Sequence, residues 1–299
     1  MIRLVDPQYW GRKAAVLQRP FSRSKLSFAG LCPIMTGNAR PAVESAERPS
    51  DRTLQRAGYH RMTNRVPLNN VDHANLRVIA GHHAEFGDSV NQVLVFPTEF
   101  EEIQREYPIF FRREESGALQ AVALLGLDRD ENLFLGESGW QGRYVPAILQ
   151  RGPFLIGFKD GGTEGEPMIH IDLDHPRVNR AEGLPLFLPH GGNTPYLEHI
   201  AGILRTIYTG IEANQPMFEA FDRAGLIEPV AVEIALDEAR KYVLPDLFTI
   251  ARGALAQLDG SRLERLNTSG FLPLAFLVIA SMGNMGRLID LKNRKAEAA

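Results

Sequence analysis

The sequence predicts an α+β fold, with antiparallel sheets built mainly from the first half of the chain and packed against helices from the second half. Segments with the apolar alternation of strands are grouped between residues 90 and 173, and apolar residues at helical spacing are grouped after residue 194. Grouped strands followed by grouped helices favour antiparallel pairing, because a parallel sheet needs strands and helices that alternate along the chain.

The strand predictions depend on β-branched and aromatic residues bounded by turn residues. The predicted strands are Val90–Phe96, Ile109–Phe111, Gln120–Leu125, Phe154–Phe158 and Met168–Leu173. A turn at Ser116-Gly117 predicts that the second and third strands form a hairpin. After the first strand, Thr98 and Glu101 have the spacing of a capping box, which predicts a short helix to about Glu106.

The helix predictions begin at Thr194-Pro195, an N-cap residue followed by proline at the first helical position. An apolar stripe at helical spacing follows, Asn214-Gln215-Pro216 indicates a second helix, and Gly225 ends it. Val230–Leu236 and Tyr242–Ile250 are predicted to pair as a second hairpin. The closing helices are predicted at Arg252–Leu258, Ser261–Thr268 and Phe271 to about Leu291.

Charge divides the 299 residues into two parts. The formal net charge is −3, but residues 1–61 carry 11 Lys and Arg against 4 Asp and Glu, whereas residues 62–299 carry 22 against 32. The first part also has scattered prolines and a polar stretch, Ala39–Ala57, that is typical of disordered segments. We therefore expect a disordered basic leader over residues 1–61 and a single α+β domain over residues 62–299.

Three interpretations of the leader remain open. A secretory signal is disfavoured because its nearest apolar run, Leu26–Cys32, is interrupted and lies late in the chain. An organelle transit peptide suits the Arg-rich composition. The favoured interpretation is a translation start assigned too far upstream, since the change in composition coincides with Met62. A chain beginning at Met62 would then be as stable as the full chain.

Composition and missing motifs exclude several classes of protein. The longest apolar run, Phe271–Ala280, has ten residues including a proline, whereas a membrane-spanning helix needs about 20, so we expect no membrane span. The acidic body disfavours nucleic acid as a partner. The single thiol, Cys32, lies in the leader, and the sequence has no phosphate-binding loop and no His-Glu-x-x-His motif. No cofactor is expected, and a binding protein is favoured over an enzyme.

One pattern supports an alternative, a metal-dependent enzyme. His170 and Asp172 lie two residues apart on a predicted strand and therefore face the same side, and His190 follows in the next loop. Two histidines and one carboxylate are the ligand set of non-haem iron oxygenases. The alternative hypothesis is therefore an oxygenase that holds iron through these three residues, set against a strand face that is simply solvated.

A second pattern concerns recognition rather than chemistry. Trp140, Arg143 and Tyr144 are close in sequence, and aromatic residues and arginine are enriched at binding interfaces. These residues are the candidate contacts for a protein partner or small ligand. The same side chains could instead anchor a loop to the core, and this second interpretation is favoured.

Short segments along the whole body carry a family resemblance. The segments are Phe96-Pro97, Tyr107-Pro108-Ile109, Val122–Gly126, Asn132–Leu135, Tyr144-Val145-Pro146, Pro153–Phe158, Pro185-Leu186-Phe187, Thr194–Leu197 and Leu247–Ile250. As an ordered set, extending over nearly all of Met62 to Asn293, they resemble the SapC family of bacterial proteins.

This resemblance implies the cellular system that the protein serves rather than a biochemical activity. Members of the family are associated with surface-layer or outer-membrane uptake loci, often near TonB-dependent receptors, and no catalytic residue is assigned to them. The permease label that such proteins sometimes carry conflicts with the absence of a predicted span. We therefore expect a soluble, cytoplasmic accessory or binding protein that serves a bacterial surface or uptake system.

Overall fold

A computed structural model describes residues 2–5, 64–114, 116–158, 167–238 and 240–297. In these ranges the strands are β1 (Ile2–Val5), β2 (Arg65–Pro67), β3 (Arg77–Val78), β4 (Gln92–Val95), β5 (Ile109–Arg113), β6 (Leu119–Leu124), β7 (Leu135–Gly136), β8 (Gly139–Trp140), β9 (Phe154–Phe158), β10 (Pro167–Asp172), β11 (Val178–Asn179), β12 (Leu184–Pro185), β13 (Ile227–Ala235) and β14 (Lys241–Ile250). The α-helices are α1 (Phe100–Ile103), α2 (Ala147–Gln150), α3 (Pro195–Arg223), α4 (Arg252–Ala256), α5 (Gly260–Thr268), α6 (Leu272–Ser281) and α7 (Asn284–Glu297).

The described residues fall into two compact units. The first contains residues 2–5, 90–149 and 206–297, and the second contains residues 64–89 and 150–205. Helix α3 contributes its first turns to the second unit and the remainder to the first. The expectation of a single domain from Met62 to Ala299 stays a prediction.

The first unit is built on a six-stranded sheet with the order β1-β13-β14-β5-β6-β4, in which every neighbouring pair is antiparallel. Both predicted hairpins are present, since β5 pairs with β6 and β13 pairs with β14. Aromatic packing joins the sheet to helix α3: the Phe111 ring meets Phe218 edge-on at 4.9 Å and stacks near Phe221. The α+β class predicted from the sequence is confirmed.

The second unit has two small antiparallel sheets, β2-β10-β9 and β11-β3-β12. Its core consists of buried aliphatic side chains from both sheets and from the first turns of α3, with one aromatic ring. The core residues are Leu76, Val78, Phe154, Ile171, Leu186, Leu197, Ile200 and Leu204. Strand β10 contributes Ile171 to this core, as its alternation predicts.

The two helices predicted after Thr194 are one continuous helix. α3 runs through Pro216, which lies inside the helix rather than at a new start. Proline removes one backbone hydrogen bond, but the apolar face on either side of it stays buried, with Ile207, Met217 and Phe221 in the core. Burial of the apolar face of α3 therefore outweighs the preference of proline for the start of a helix. Gly225 ends the helix as predicted, with a φ of 69°.

The closing segment divides into two helices where one was predicted. α6 ends at Ser281 and α7 begins at Asn284, whose side-chain amide donates to the carbonyls of Gln104 (2.7 Å) and Tyr107 (3.2 Å). By length and composition alone, Leu272–Glu297 could cross a membrane, and 28% of its most apolar window is buried. Polar contacts join this segment to the rest of the first unit, which favours packing on that unit over crossing a membrane.

Of the predicted leader, the structure describes only residues 2–5. Residues 2–5 form β1, which pairs antiparallel with β13 from Ile2↔Ile234 to Val5↔Ala231 and thus lies at the edge of the six-stranded sheet. Cys32 and the rest of residues 6–61 lie outside the described residues. The disordered leader and the translation start at Met62 stay predictions.

Strand β1 gives a direct test of the leader. Removal of residues 1–61 leaves the outer edge of β13 without its partner, so we expect a lower thermal midpoint than that of the full chain. Differential scanning calorimetry of the two chains measures this. Equal midpoints would show that β1 adds nothing to the stability of the sheet.

Candidate functional site

The three predicted binding residues lie together in the first unit, Trp140 at the end of β8 and Arg143 and Tyr144 in the loop that follows it. The Trp140 indole N–H donates to the Tyr107 hydroxyl (3.1 Å) and to the Tyr144 carbonyl (3.2 Å). The Trp140 ring stacks on Phe134, with ring centroids 6.3 Å apart. The Tyr107 hydroxyl also donates to the Tyr144 carbonyl. The aromatic side chains are thus used to hold the loop against the segment that contains α1.

Glu99 is a buried carboxylate that ties this loop to the end of β4. Only 2% of Glu99 is exposed. Its Oε2 accepts from the Tyr144 hydroxyl and the Ala147 backbone N–H, both at 2.9 Å, and its Oε1 accepts from the Phe96 N–H at 3.1 Å. The predicted capping box used Thr98 and Glu101 and is wrong. Glu99 makes the reciprocal bond, and the Thr98 hydroxyl donates to the Thr206 carbonyl instead.

Glu106 is a second buried carboxylate, and it ties the same loop to helix α7. Its Oε2 accepts from the backbone N–H groups of Arg143 (2.6 Å) and Tyr144 (3.1 Å). Its Oε1 accepts from the Arg287 guanidinium at 2.7 Å. Each carboxylate oxygen therefore has a donor, as a buried charge requires. We call residues 140–147 with Glu99 and Glu106 the carboxylate clamp.

The two carboxylates differ in their ionisation. Burial raises the pKa of Glu99 to about 7, against the opposing effect of the hydrogen bonds from Ala147, Tyr144 and Phe96. Burial also acts on Glu106, but the hydrogen bond from Arg287 and those from the loop N–H groups outweigh it and lower the pKa. Burial, with the nearby Glu99 charge, raises the pKa of Tyr144. Glu99 is therefore the clamp residue that changes charge near neutral pH.

The clamp leaves one of the three candidate residues open to solvent. Arg143 is exposed and uses only its backbone N–H in the clamp, whereas Trp140 and Tyr144 are half-buried. The structure thus places Trp140 and Tyr144 as anchors of the loop, which the sequence favoured. A direct ligand contact by any of the three residues stays a prediction, and Arg143 has the most accessible side chain for one.

The three predicted iron ligands do not form a site. Among the described residues, no three His, Cys, Asp or Glu side chains make a group that could hold a metal ion, and His170, Asp172 and His190 are all described. His190 lies exposed in a turn after β12, while His170 and Asp172 lie on β10 in the sheet. The prediction that His170 and Asp172 lie two residues apart on one strand is therefore correct, but His190 does not join them as a third ligand.

Asp172 is also not on a solvated face. It is fully buried, and its Oδ1 accepts from the backbone N–H groups of Asn64 (3.4 Å) and Asp174 (3.2 Å). His170 is half-buried, and its ring lies over Gly157 on β9, where a Cβ would be 2.5 Å from Nε2. Burial, with a contribution from nearby Arg65, lowers the pKa of His170. Asp172 thus ties the end of β10 to the backbone at Asn64 and Asp174.

Sequence reasoning missed a buried ion pair in the second unit. The Arg177 guanidinium donates to Asp88 Oδ2 at 2.7 Å, and both side chains are about 95% buried. Asp88 also accepts from the His83 backbone N–H, and His82 Nδ1 lies 3.3 Å from the same carboxylate. His82 is half-buried beside this ion pair, whereas His83 is exposed. Asp88 and Arg177 are 89 residues apart, so no local pattern could reveal them.

The first unit also exposes an apolar helix surface. Pro273, Phe276 and Ala280 are exposed and lie at three- and four-residue spacing on α6, with Phe276 54% accessible. The opposite side of α6 is in the core through Ala275 and Val278. We call Pro273, Phe276 and Ala280 the α6 face. Leu272, Leu274, Leu277 and Ile279 of the same helix are half-buried, and Phe276 is the large apolar side chain of α6 that is most exposed.

Glu99 predicts a pH effect with a definite sign. Its pKa is about 7 in the folded protein against an ordinary value of 4.5, so the folded state binds a proton more tightly between those values. The free energy of unfolding should therefore fall by about 3 kcal/mol as the pH rises from 4.5 to 7 because of this group. We expect Glu99→Gln to lack this fall and to gain stability relative to the parent as the pH rises.

Urea unfolding at a series of pH values measures the free energy of unfolding of the parent and of the variant. The control Glu264→Gln, at an exposed position, should retain the fall. Parallel curves for Glu99→Gln and the parent would contradict the assignment.

Close packing in the clamp gives a second prediction. A Cβ at Gly142 would lie 2.3 Å from the Tyr107 hydroxyl oxygen and 2.7 Å from the Trp140 indole nitrogen. We expect Gly142→Ala to lower the free energy of unfolding by about 2 kcal/mol or more, because the clamp must open to admit the methyl group. Gly286→Ala, in helix α7 with no atom near the added Cβ, should be neutral or stabilising by up to about 1 kcal/mol. Equal denaturant midpoints for the two variants would contradict the close approach.

Comparison with known proteins identifies the family. A family model described as SapC matches residues 68–288, which include most of both units and the whole carboxylate clamp. No curated protein matches the chain, and neither does any solved structure. Because the family model covers more than half of the chain, the chain belongs to the SapC family.

Proposed function

We propose that this SapC-family chain is a soluble, cytoplasmic, non-catalytic accessory protein that binds a protein partner of a bacterial surface-layer or TonB-dependent uptake system. The α6 face is the contact surface. The observation that supports this most is the exposure of Phe276 on a helix whose ten residues include one polar side chain, Ser281.

The energetics favour a covered α6 face. An apolar side chain of this size gains about 1.5–3 kcal/mol when it is removed from water. Single exposed apolar residues are common, but Phe276 lies between Pro273 and Ala280 on one side of the helix and extends a shared surface. A protein partner with an apolar groove would bury all three side chains at once.

Ion pairs and hydrogen bonds of α6 and α7 support a rigid platform rather than a spanning segment. Lys292 donates to Asp128 at 2.6 Å and to Glu131 at 2.7 Å, and Lys295 approaches Glu131 at 3.2 Å. Ser281 Oγ accepts from the Ile109 N–H at 2.9 Å at the end of α6. A helix pair that crossed a bilayer would have to break these contacts. The α6 face is therefore presented from a fixed position on the first unit.

The carboxylate clamp supports a binding role over catalysis. Glu99 has the pKa of a general base, but its two oxygens already accept from Tyr144, Ala147 and Phe96. A substrate that used this carboxylate would have to displace those donors. The clamp instead fixes the loop that carries Arg143.

Site-specific crosslinking tests the proposed function. A photoreactive phenylalanine analogue at position 276 should give one abundant adduct in the native cell, and the partner should be a protein of a surface-layer or uptake system. The matched control is position 71, because Val71 is an apolar residue 82% exposed in the second unit, outside the α6 face. The adduct should be absent at position 71 and should be lost when Ala280→Asp is added. The same adducts from both positions, or none from position 276, would contradict the proposal.

A further inference from the structure

A cavity in the first unit is surrounded by three arginines. It has a volume of about 430 Å³ and lies between the last turn of α3 and one face of α5. Its lining residues are Ala220, Arg223, Ala224, Arg262, Arg265, Leu266 and Ser269. The residues from α5 and its C-cap recur at three- and four-residue spacing, so their side chains point to the same side of the helix. The cavity is therefore formed by two regular helix faces.

The positive charge around this cavity is only partly neutralised. The Arg223 guanidinium bonds to Glu219 at 2.7 Å, and the Arg262 Nε lies 3.4 Å from Asp259 Oδ2. Arg265 donates from Nε and Nη2 to the carbonyl and hydroxyl of Ser261, and no carboxylate of the described residues pairs with it. Each guanidinium has five N–H donors, so donors remain on all three. Glu219 and Asp259 offset two of the three charges, so the positive charge of Arg265 is the one left to attract an anion.

The cavity floor is apolar. Ala220, Ala224 and Leu266 provide it, and the two alanines leave the space that larger side chains would fill. Arg223 and Arg265 lie in the last turns of their helices, where the helix dipole favours a cation. The site thus combines cations at its rim with an apolar floor.

We propose that this cavity binds an organic phosphate, with the phosphate group between Arg223, Arg262 and Arg265 and the carbon part on the floor. A phosphate has three terminal oxygens and a charge near −2, so it can accept from three guanidinium groups, whereas a carboxylate has two oxygens and one charge. This inference goes beyond the proposed function, because it concerns a small ligand on a surface other than the α6 face.

Calorimetric titration of the purified full chain with phenyl phosphate tests the inference. We expect binding with a dissociation constant below about 1 mM at low salt, and weaker binding as salt is added. Arg265→Gln should weaken binding about tenfold, because one charge-assisted pair is lost. Arg105→Gln is the matched control: Arg105, like Arg223, is an exposed arginine paired with a glutamate four residues earlier, and it lies in the turn after α1, outside the cavity. It should bind as the parent does.

Two further measurements separate the phosphate contact from the floor contact. Inorganic phosphate should bind the parent more weakly than phenyl phosphate, since it makes no contact with the floor. Ala224→Leu, which fills the floor, should remove that difference while inorganic phosphate still binds. Circular dichroism melting confirms that each variant is folded, and Arg262→Gln replaces Arg265→Gln if the latter does not fold. No binding by the parent at about 10 mM, or equal affinity in the parent and the arginine variants, would overturn the inference.

Discussion

The desolvation of two carboxylates is the constraint on which the first unit depends. Glu99 and Glu106 are buried with 2% and 4% of their surfaces exposed, and an ionised carboxylate in that position needs a donor for each oxygen. Backbone N–H groups of Phe96, Arg143, Tyr144 and Ala147 supply most of these donors. The chain between residues 140 and 147 therefore has little freedom to take another path.

This constraint connects distant parts of the first unit. Glu106 reaches the loop with one oxygen and Arg287 of α7 with the other, and Asn284 at the start of α7 donates to two carbonyls near Glu106. The position of α7 fixes that of α6, since two residues separate the helices. Burial of charge thus determines how the α6 face is presented.

Local sequence patterns predicted the helices and strands. The candidate sites instead depend on contacts between residues that are distant in the chain. Alternation predicted β9 with its observed bounds, and two hairpins with their partners, because strand period and turn residues act over a few positions. Pro216 misled the helix prediction because burial of the α3 face outweighs one lost hydrogen bond. The role of Glu99 in the clamp could not be predicted from the sequence, since its donor Ala147 is 48 positions away. The iron hypothesis used a correct strand face, but spacing along one strand says nothing about where His190 lies.

Hydrogen exchange at individual amides tests most directly whether the two carboxylates hold the loop. The backbone N–H groups of Arg143, Tyr144 and Ala147 lie in a loop without regular secondary structure or at the first residue of the short helix α2, where exchange is ordinarily fast. The clamp predicts that these three amides exchange as slowly as those of the central strand β5, and that Glu106→Gln speeds exchange at Arg143 and Tyr144 while leaving β5 protected. Fast exchange at all three amides in the unaltered protein would contradict the account.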